Sequence, residues 1–499
     1  MNAKLCATVT GATTDAIRQA RDRVAPDADM VELRLDYADE VDIDGVLSDR
    51  RIPVIVTCRP TWAGGRFSGS EEERFRLLAQ ALTCGAEFID VEWGSGCADL
   101  VDRHRRRVVL SDHDFEGVPD DIEQRYQSMR ATGAQVVKLA ARVGKLSELI
   151  RLRDLAPTSA SHEEAHVVIG MGPAGLPSRL LPDHFGSAWT YAGAGMQVAP
   201  GQLDVRRMVE EFHVHRAGIG TELFGVLGSP LGHSLSPVMH NTGFAETGRD
   251  ALYVPLEAAD VDDFESFADA FDLQGASVTA PFKEAVMTSR VETDDIGRRV
   301  GAVNTLRKTD CGWEGTNTDA AGCLDPLNGR LALKGCRATI LGAGGAARGV
   351  AVALSTEGAR VTISARQAER AEAVASLVGG ATCPFPPVTG SWDLLVNTTP
   401  LGTHPNVDST PVSAAALDGT LVYDLVYNPA VTRLLSDAKA AGCQVVGGLG
   451  MLVAQAERQF AWWTGTPPAV DLFRAAAERQ LSHNNDAHTS ATKGEETTR

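Results

Sequence analysis

The chain has 499 residues, which at roughly 150 residues per domain predicts about three domains. Hydrophobic residues make up 43% and charged residues 22%, as is ordinary for a soluble globular protein. The formal net charge of -18 repels nucleic acid and anionic membranes, so neither is an expected partner. Anionic small molecules would need local clusters of arginine and lysine.

The cysteines and the N-terminus bear on the compartment. Nine cysteines without a CxxC pair disfavour a disulfide framework and a zinc finger, and no metal site is evident. Reduced thiols are typical of a cytoplasmic protein. The N-terminus has no long apolar segment or cleavage-like site, and no run of 18 apolar residues occurs. We therefore expect no signal peptide and no membrane span.

The N-terminal part alternates short β-branched runs with segments that have apolar residues at helical spacing, such as residues 71–85. This alternation predicts a parallel sheet, and eight repeats of it predict an α/β fold of the (β/α)8 or TIM-barrel type. The eight runs are KLCATV (4–9), MVELRLD (30–36), PVIVTCR (53–59), AEFIDVEW (86–93), RVVLSDH (107–113), AQVVKLA (134–140), AHVVIGMG (165–172) and AWTYAG (188–193).

Active sites of such barrels lie at the C-terminal ends of the strands. Those ends carry Glu32 and Arg34 on the second strand, Arg59 on the third, His113 on the fifth and Lys138 on the sixth. An acid, two arginines, an imidazole and an amine would thus converge on one mouth.

Each of these residues also has an ordinary structural interpretation. Lys138 could pack its stem and extend its ammonium to water. It could instead be a Schiff-base lysine, activated by desolvation or by nearby cations such as Arg34, Arg59 and Arg179. His113 alone could be a surface histidine beside two aspartates. The joint pattern favours acid/base chemistry.

The motifs that carry these residues resemble type I 3-dehydroquinate dehydratase over roughly residues 1–205. The matching motifs are VELRLD (31–36), TCRP with a following GG (57–65), SDHDF (111–115), VVKLA (136–140), LPSR (176–179) and APGQ (199–202).

The resemblance implies a role for each residue. Lys138 would form an imine with the substrate ketone, and His113 would remove the C2 proton and help to expel the C1 hydroxyl. Glu32 would organise the site. The residues implied to hold the substrate's carboxylate and hydroxyls are Arg34, Arg59, Arg179 and Gln202.

Two positions depart from the family pattern. Ala63 stands where the family usually has an acidic residue that orients the histidine, and Val198 stands where it tends to have a serine. A working dehydrogenase with an impaired barrel is therefore a second hypothesis.

A polar stretch over residues 213–220 separates the two halves, and a nucleotide-binding pattern follows in ATILGAGGAARGVAVAL (338–354). A β-branched strand enters a glycine-rich turn that opens a helix, the context that gives G-x-G-x-x-A its meaning. Gly342, Gly344 and Ala347 occupy the fingerprint places. The turn residues expected to contact the cofactor are Gly342, Ala343, Gly344, Gly345 and Ala346.

The next strand indicates which dinucleotide binds. ARVTISAR (359–366) ends in Ser364, Ala365 and Arg366 rather than in the acidic residue that accepts a ribose hydroxyl, and Arg370 follows one turn later. Two arginines can clamp a 2′-phosphate, so we expect NADP (as NADPH) rather than NAD. The alternative is that both arginines are solvated charges at the start of a helix.

Short polar motifs elsewhere resemble shikimate dehydrogenase across roughly residues 221–475. Each alone could be a turn or a helix cap. They are GSPLGHSLSP (228–237), SVTAPFK (277–283), GAVNTL (301–306), GTNTDAAG (315–322), NTTPLG (397–402), YDLVYNPAVTRLL (423–435) and GLGMLVAQAERQFAWWTG (448–465).

This resemblance implies a catalytic pair, Lys283 and Asp319. Ser234 and Ser236 would bind the substrate carboxylate. Residues implied to contact its hydroxyls or approach it are Thr279, Asn304, Tyr427 and Gln455. Residues implied to line the nicotinamide site are Asn397, Leu425, Gly448 and Met451. One nucleotide-side position departs from the family, because Ala365 stands where asparagine is common.

The sequence therefore predicts a bifunctional enzyme of the shikimate pathway. A lyase would convert 3-dehydroquinate to 3-dehydroshikimate, and an oxidoreductase would reduce it to shikimate, with quinate as an alternative substrate class. A non-catalytic sensor ranks last, because the catalytic lysines are present. The expected divisions are a barrel (1–215), a substrate domain (221–325, completed by helices about 450–478), a Rossmann-type NADP-binding domain (326–449) and a disordered tail (481–499).

Overall fold

A computed structural model describes residues 3–156, 165–195, 201–232, 234–288 and 290–483. It divides into two compact units, which are Met1–Phe224 with Pro230–Gly232 and Asp250–Leu273, and Gly225–Ser229 with His233–Arg249 and Gln274–Arg499. Val198 and positions 484–499 of the expected tail lie outside the described residues. Residues 481–483 end a helix that begins at residue 472.

Eight strands in the first unit form the predicted barrel. They are β1 (Lys4–Val9), β2 (Met30–Arg34), β3 (Val54–Thr57), β4 (Phe88–Glu92), β5 (Val108–Asp114), β6 (Val136–Arg142), β7 (Ala165–Met171) and β8 (Trp189–Gly193). They pair in parallel in the order β7-β6-β5-β4-β3-β2-β1-β8, so the barrel is nearly closed. The (β/α)8 prediction is confirmed.

Helices follow the strands and leave the C-terminal strand ends free to build a site. The third helix begins with a capping box, in which the Ser70 hydroxyl accepts from the Glu73 amide and the Glu73 carboxylate accepts from the Ser70 amide. The helices are α1 (Thr14–Val24), α2 (Ile43–Leu47), α3 (Glu71–Thr83), α4 (Ala98–His104), α5 (Ile122–Arg130), α6 (Glu148–Arg153), α7 (Leu176–Leu180) and α8 (Val205–Glu210).

A segment beyond the barrel sequence also belongs to the first unit. After α8 the chain forms β9 (Glu222–Leu227), α9 (Ser236–Thr247), β10 (Ala251–Leu256) and α10 (Val261–Ala270), and the last two lie in that unit. The buried Asp263 carboxylate accepts from the backbone amides of Leu146 at 3.0 Å and Ser147 at 2.8 Å. These amides belong to the connection between β6 and α6, so α10 fixes a loop that follows a barrel strand.

The second unit contains a mixed sheet and two short helices beside it. The elements are β11 (Leu273–Val278), β12 (Val291–Thr293), α11 (Asp295–Val300), β13 (Thr305–Thr309), β14 (Gly312–Thr316) and α12 (Asp319–Gly322). Strands β11 and β13 are antiparallel, as are β13 and β14, whereas β12 runs parallel to β14.

The rest of the second unit is the predicted Rossmann-type fold. Its elements are β15 (Arg337–Leu341), α13 (Gly345–Thr356), β16 (Arg360–Ser364), α14 (Ala368–Leu377), β17 (Ala381–Cys383), β18 (Leu394–Asn397), β19 (Leu421–Asp424), α15 (Arg433–Ala440), β20 (Gln444–Val446) and α16 (Leu449–Thr464). Six parallel strands follow the order β17-β16-β15-β18-β19-β20. The order reverses between β15 and β18, which is where such sheets bind nucleotides.

Helix α16 returns from the nucleotide fold to the mixed sheet. The Trp463 indole donates to the Leu306 carbonyl at 2.9 Å, and the Gln459 amide donates to the Asn304 carbonyl at 3.2 Å. Gln455 lies one turn earlier on the same helix, and its Oε1 is 3.5 Å from the Asn304 amide nitrogen, so it also faces this sheet. Among the helices that the structure describes, none has both the length and the apolar character needed to span a bilayer.

Replacing Asp263 with alanine should loosen the loop after β6. The carboxylate accepts from three backbone amides, including that of Ala259 at 3.0 Å. Its loss leaves buried donors unpaired and should lower the free energy of unfolding by about 2 kcal/mol or more. Urea unfolding reports the stability, and hydrogen exchange of a peptide spanning residues 143–149 reports the loop.

The control is Asp262→Ala, which removes an exposed carboxylate from the same turn of α10. Equal exchange rates at residues 143–149 in the Asp263→Ala and Asp262→Ala proteins would contradict the expectation.

Candidate active sites

One cavity of the barrel brings together all the site residues predicted there. Its walls also include Thr8, Ala63, Phe115, Met171 and Tyr191. The predicted residues that line it are Glu32, Arg34, Arg59, His113, Lys138, Arg179 and Gln202.

Lys138 is buried in the middle of β6, and its ammonium is surrounded by acidic and aromatic groups. Its Nζ lies 3.0 Å from Asp90 Oδ2, 3.7 Å from Glu32 Oε1 and 4.3 Å from the ring centroid of Tyr191. The sequence suggested three neighbouring arginines as the cations that would activate this amine. Those arginines line the same cavity, and the groups within ion-pair distance of Nζ are the two carboxylates.

Arg59 connects two buried carboxylates of β4. Its Nη1 lies 3.0 Å from Asp90 Oδ1 and donates to Glu92 Oε1 at 2.7 Å and to the Ser111 hydroxyl at 2.9 Å. Arg74 also pairs with Glu92. Burial alone would raise the pKa of Asp90, but the Arg59 and Lys138 cations hold it below its usual range. Burial raises the pKa of Glu92. The two cations therefore keep Asp90 in its ionised form.

Glu32 and Gln202 share one hydroxyl. The Glu32 carboxylate accepts from Thr8 Oγ1 at 3.0 Å and from Thr57 Oγ1 at 2.8 Å, and Gln202 donates to Thr8 Oγ1 at 3.3 Å. Two hydroxyl donors fix the orientation of Glu32 in the cavity.

The two other arginines of the cavity differ in their surroundings. Arg34 donates through Nε and Nη2 to the two Asp36 oxygens, each at 2.8 Å. Arg179 is buried in α7, and its burial lowers its pKa to about 10, so it remains a cation at neutral pH. Both bring positive charge to the wall that an anionic substrate would meet.

His113 is half-buried near the end of β5, with its ring stacked 6.3 Å from that of Phe115. Burial lowers the pKa of His113, and the Arg59 and Lys138 cations lower it further, so the neutral imidazole is the form present at neutral pH. Its buried Nδ1 has no hydrogen-bond partner among the described residues. The side chain at Ala63, in the same cavity, has no oxygen to offer.

Two acidic residues of the fourth strand are not among the site residues predicted from the sequence. Asp90 and Glu92 alternate in IDVEW and so share one face of β4, and both are buried. The rule that found Glu32 and Lys138 would have found them, because the signal is a charged residue within an apolar barrel strand. Tyr191 gave no such signal, since aromatic residues are common in strands.

The second unit brings the predicted catalytic lysine and aspartate into contact. Lys283 Nζ donates to Asp319 Oδ2 at 2.6 Å. The Asn304 amide donates to Asp319 Oδ1 at 2.9 Å and lies 3.5 Å from Gln455 Oε1. Asp319 thus holds the ammonium on one side and is itself oriented on the other.

The remaining residues predicted to meet substrate lie on nearby elements. The Ser236 amide donates to Ser234 Oγ at 3.3 Å at the start of α9. Thr279 is half-buried, and its amide donates to the Leu227 carbonyl at 2.8 Å. Tyr427 is half-buried, and burial raises its pKa, so its hydroxyl stays protonated.

The glycine-rich turn leaves its backbone accessible. Gly342 has φ of 111°, and a Cβ there would lie 2.6 Å from Thr398 Oγ1, so the tight turn requires glycine. A Cβ on Gly344 would meet nothing within 4 Å, so space for a pyrophosphate is available beside the start of α13. A Cβ on Gly345 would lie 3.0 Å from Lys283 Cδ, so this turn approaches the lysine that the sequence predicts to be catalytic.

The adjacent groove is lined by Gly342, Ala343, Gly344, Arg366 and Arg370, among others. Both arginines are exposed, and within the described part of the chain neither is paired with a carboxylate. Ser364 is buried and donates to the Pro384 carbonyl at 2.7 Å. It shapes the end of β16, whereas the arginines face the ligand groove.

The residues predicted for the nicotinamide end form a connected group. The buried Asn397 donates to Asp424 Oδ1 at 2.9 Å, and its carbonyl accepts from the Leu425 amide at 3.0 Å. A Cβ on Gly448 would lie 2.1 Å from the Leu425 carbonyl oxygen, so the start of α16 requires glycine. Met451 is buried one turn further along α16. These residues do not line the groove beside the arginines.

Four family models match the chain in succession. They describe a type I 3-dehydroquinase over residues 5–218, a shikimate dehydrogenase substrate-binding domain over 226–306, a shikimate/quinate 5-dehydrogenase over 327–393 and a shikimate 5′-dehydrogenase C-terminal domain over 448–478. The chain is also 32% identical over 485 residues to a chloroplastic bifunctional 3-dehydroquinate dehydratase/shikimate dehydrogenase of Arabidopsis thaliana, covering 89% of this chain and 79% of that protein.

The chain belongs to this bifunctional family. An NADP(+) shikimate dehydrogenase of Moorella thermoacetica is 41% identical over 269 residues, which cover 51% of this chain and 91% of the relative. The chain is also similar to a crystal structure of a shikimate dehydrogenase in complex with NADP+, with 32% sequence identity and a TM-score of 0.50. The match covers 53% of this chain and 97% of the dehydrogenase chain. The predicted lyase and NADP-dependent oxidoreductase activities are thereby confirmed.

Replacing Arg366 with alanine should weaken the binding of NADPH but not that of NADH. A charge-assisted hydrogen bond to the 2′-phosphate contributes about 1.5–3 kcal/mol, so we expect the KM for NADPH to rise about tenfold or more. NADH lacks this phosphate, and its KM should change little. Steady-state reduction of 3-dehydroshikimate with each cofactor measures both values.

The control is Arg337→Ala, which removes an arginine of the same domain that is paired with Asp393 and does not line the groove. An equal rise in KM for NADH would show that Arg366 does not recognise the phosphate.

Proposed function

We propose that Lys138 forms the imine with 3-dehydroquinate in the barrel, and that Lys283 and Asp319 serve the reduction of 3-dehydroshikimate in the second unit. The observation that carries this assignment is the convergence of all seven barrel residues on one cavity, together with a 2.6 Å lysine–aspartate pair beside the glycine-rich turn.

In the barrel, the imine makes elimination feasible. An iminium withdraws electrons from the neighbouring carbon, so a neutral His113 can remove the C2 proton. The imidazolium then returns a proton to the departing C1 hydroxyl, and hydrolysis frees Lys138. Arg34, Arg179 and Gln202 lie where they can hold the substrate's carboxylate and hydroxyls.

In the second unit, Lys283 donates a proton to the alkoxide that develops at C3, and Asp319 holds the ammonium in place. NADPH, when bound, supplies the hydride. The residues that we assign to substrate are Ser234, Ser236, Thr279, Asn304, Tyr427 and Gln455. The hydroxyls of Ser234 and Ser236 would donate to the substrate carboxylate and favour shikimate over quinate.

The proposed divisions are a barrel (1–215), a substrate domain (221–325, completed by helices about 450–478) and an NADP-binding domain (326–449). All nine cysteines are free and six are buried, which supports a reducing, cytoplasmic location.

A coupled assay tests the assignment. When purified protein is mixed with 3-dehydroquinate and NADPH, the absorbance of NADPH should fall, because the product of the first reaction is the substrate of the second. Lys138→Ala should abolish this signal and leave reduction of added 3-dehydroshikimate unchanged. Lys283→Ala should abolish NADPH oxidation with either substrate and leave the formation of 3-dehydroshikimate from 3-dehydroquinate unchanged. NADPH oxidation that occurs only with added 3-dehydroshikimate would indicate an impaired barrel.

The dehydratase should also keep its activity in mildly acidic solution. Because burial and two cations lower the pKa of His113, the imidazole stays neutral, and therefore basic, below the usual histidine pKa of about 6.5. The acid limb of kcat/KM for 3-dehydroquinate should have its midpoint below that value. A midpoint at or above 6.5 would argue against His113 as the base.

A further inference from the structure

The carboxylate of Asp90 lies directly against the nitrogen that we assign as the nucleophile. Asp90 is fully buried in β4, and its Oδ2 accepts from Lys138 Nζ at 3.0 Å. Resting on the proposed dehydratase mechanism, we propose that Asp90 is the counter-ion of the iminium formed on Lys138.

Charge balance explains why this position needs a fixed anion. An ammonium and a ketone give an iminium and water, since two of the three N–H hydrogens leave with the ketone oxygen. The C=O bond is broken, a C=N bond forms, and the positive charge remains at Nζ. A carboxylate that pairs with the ammonium of Lys138 therefore pairs with the iminium without moving.

The hydrogen-bond geometry selects Asp90 over Glu32. An ammonium has three donors, but the iminium retains a single N–H, so it can satisfy one close acceptor. Asp90 Oδ2 is within hydrogen-bond distance, whereas Glu32 Oε1 lies 3.7 Å away and already accepts from Thr57. Glu32 contributes negative charge near Nζ, and Asp90 accepts the hydrogen bond from the iminium.

Arg59 and Ser111 hold Asp90 in the orientation that this role requires. Ser111 Oγ donates to Asp90 Oδ1 at 2.6 Å, and Arg59 Nη1 lies 3.0 Å from the same oxygen. Oδ1 is thus engaged by the barrel wall and Oδ2 is left to Lys138. Arg59, predicted as a substrate ligand, then acts on the reaction through Asp90 as a positioning residue.

Asp90→Asn and Glu92→Gln form a matched pair of full-length variants. Each replaces a buried carboxylate of β4 that pairs with Arg59, but only Asp90 contacts Lys138. The protein is mixed with 3-dehydroquinate and quenched with borohydride, and mass spectrometry follows the adduct on the Lys138 peptide. We expect Asp90→Asn to slow adduct formation about 30-fold and Glu92→Gln to change it less than threefold.

Reduction of added 3-dehydroshikimate by the same samples shows whether the dehydrogenase half is active. Thermal unfolding shows whether the barrel is folded. Should Asp90→Asn unfold the barrel, Asp90→Ala in the presence of formate or formamide takes its place. A counter-ion is restored by formate, which is charged, and not by formamide.

Three results would overturn the proposal that Asp90 is the counter-ion. They are wild-type rates of adduct formation in Asp90→Asn, equal losses in both variants, and equal rescue by formate and formamide. An absence of adduct in the wild-type protein would instead overturn the imine on Lys138, so the two failures are distinguishable.

Discussion

The chemistry of the first unit depends on the placement of opposite charges inside a barrel. A single buried cation or anion would cost several kcal/mol, so each must meet a partner of opposite sign. Lys138 and Arg59 meet Asp90, and Arg59 and Arg74 meet Glu92. Because parallel strands fix these side chains in register, the amine is held rigidly beside an ionised carboxylate before substrate enters.

The catalytic pair that we propose for the second unit buries far less charge. Lys283 is half-buried, and among the described residues its acidic partner is Asp319, which Asn304 orients. The difference follows from the reactions. Elimination in the barrel needs a covalent electron sink, and that sink is a cation that must be stabilised. Hydride transfer needs only a proton donor at the developing alkoxide, which a hydrogen-bonded ammonium supplies.

Much of the fold and of both sites could be predicted from the sequence, for identifiable reasons. The regularly spaced β-branched runs predict the barrel, and the pattern of a strand, a glycine-rich turn and a helix predicts the nucleotide-binding fold. Residues in motifs, such as Lys138 and Lys283, were found because their local sequence is specific. Asp90 lies in an apolar strand as Glu32 and Lys138 do, so its burial could be expected, but its partners could not, because they come from other strands, Ser111 from β5 and Lys138 from β6.

The boundary between the two halves illustrates the same limit. Composition placed it in the polar stretch over residues 213–220, yet the segment Asp250–Leu273 belongs to the compact unit of the barrel. The carboxylate of Asp263 on α10 binds the amides that follow β6, the strand that bears Lys138. A chain cut at the sequence boundary would leave those amides without their acceptor. The loop next to the proposed nucleophile is therefore specified partly by sequence that the family models assign to the dehydrogenase.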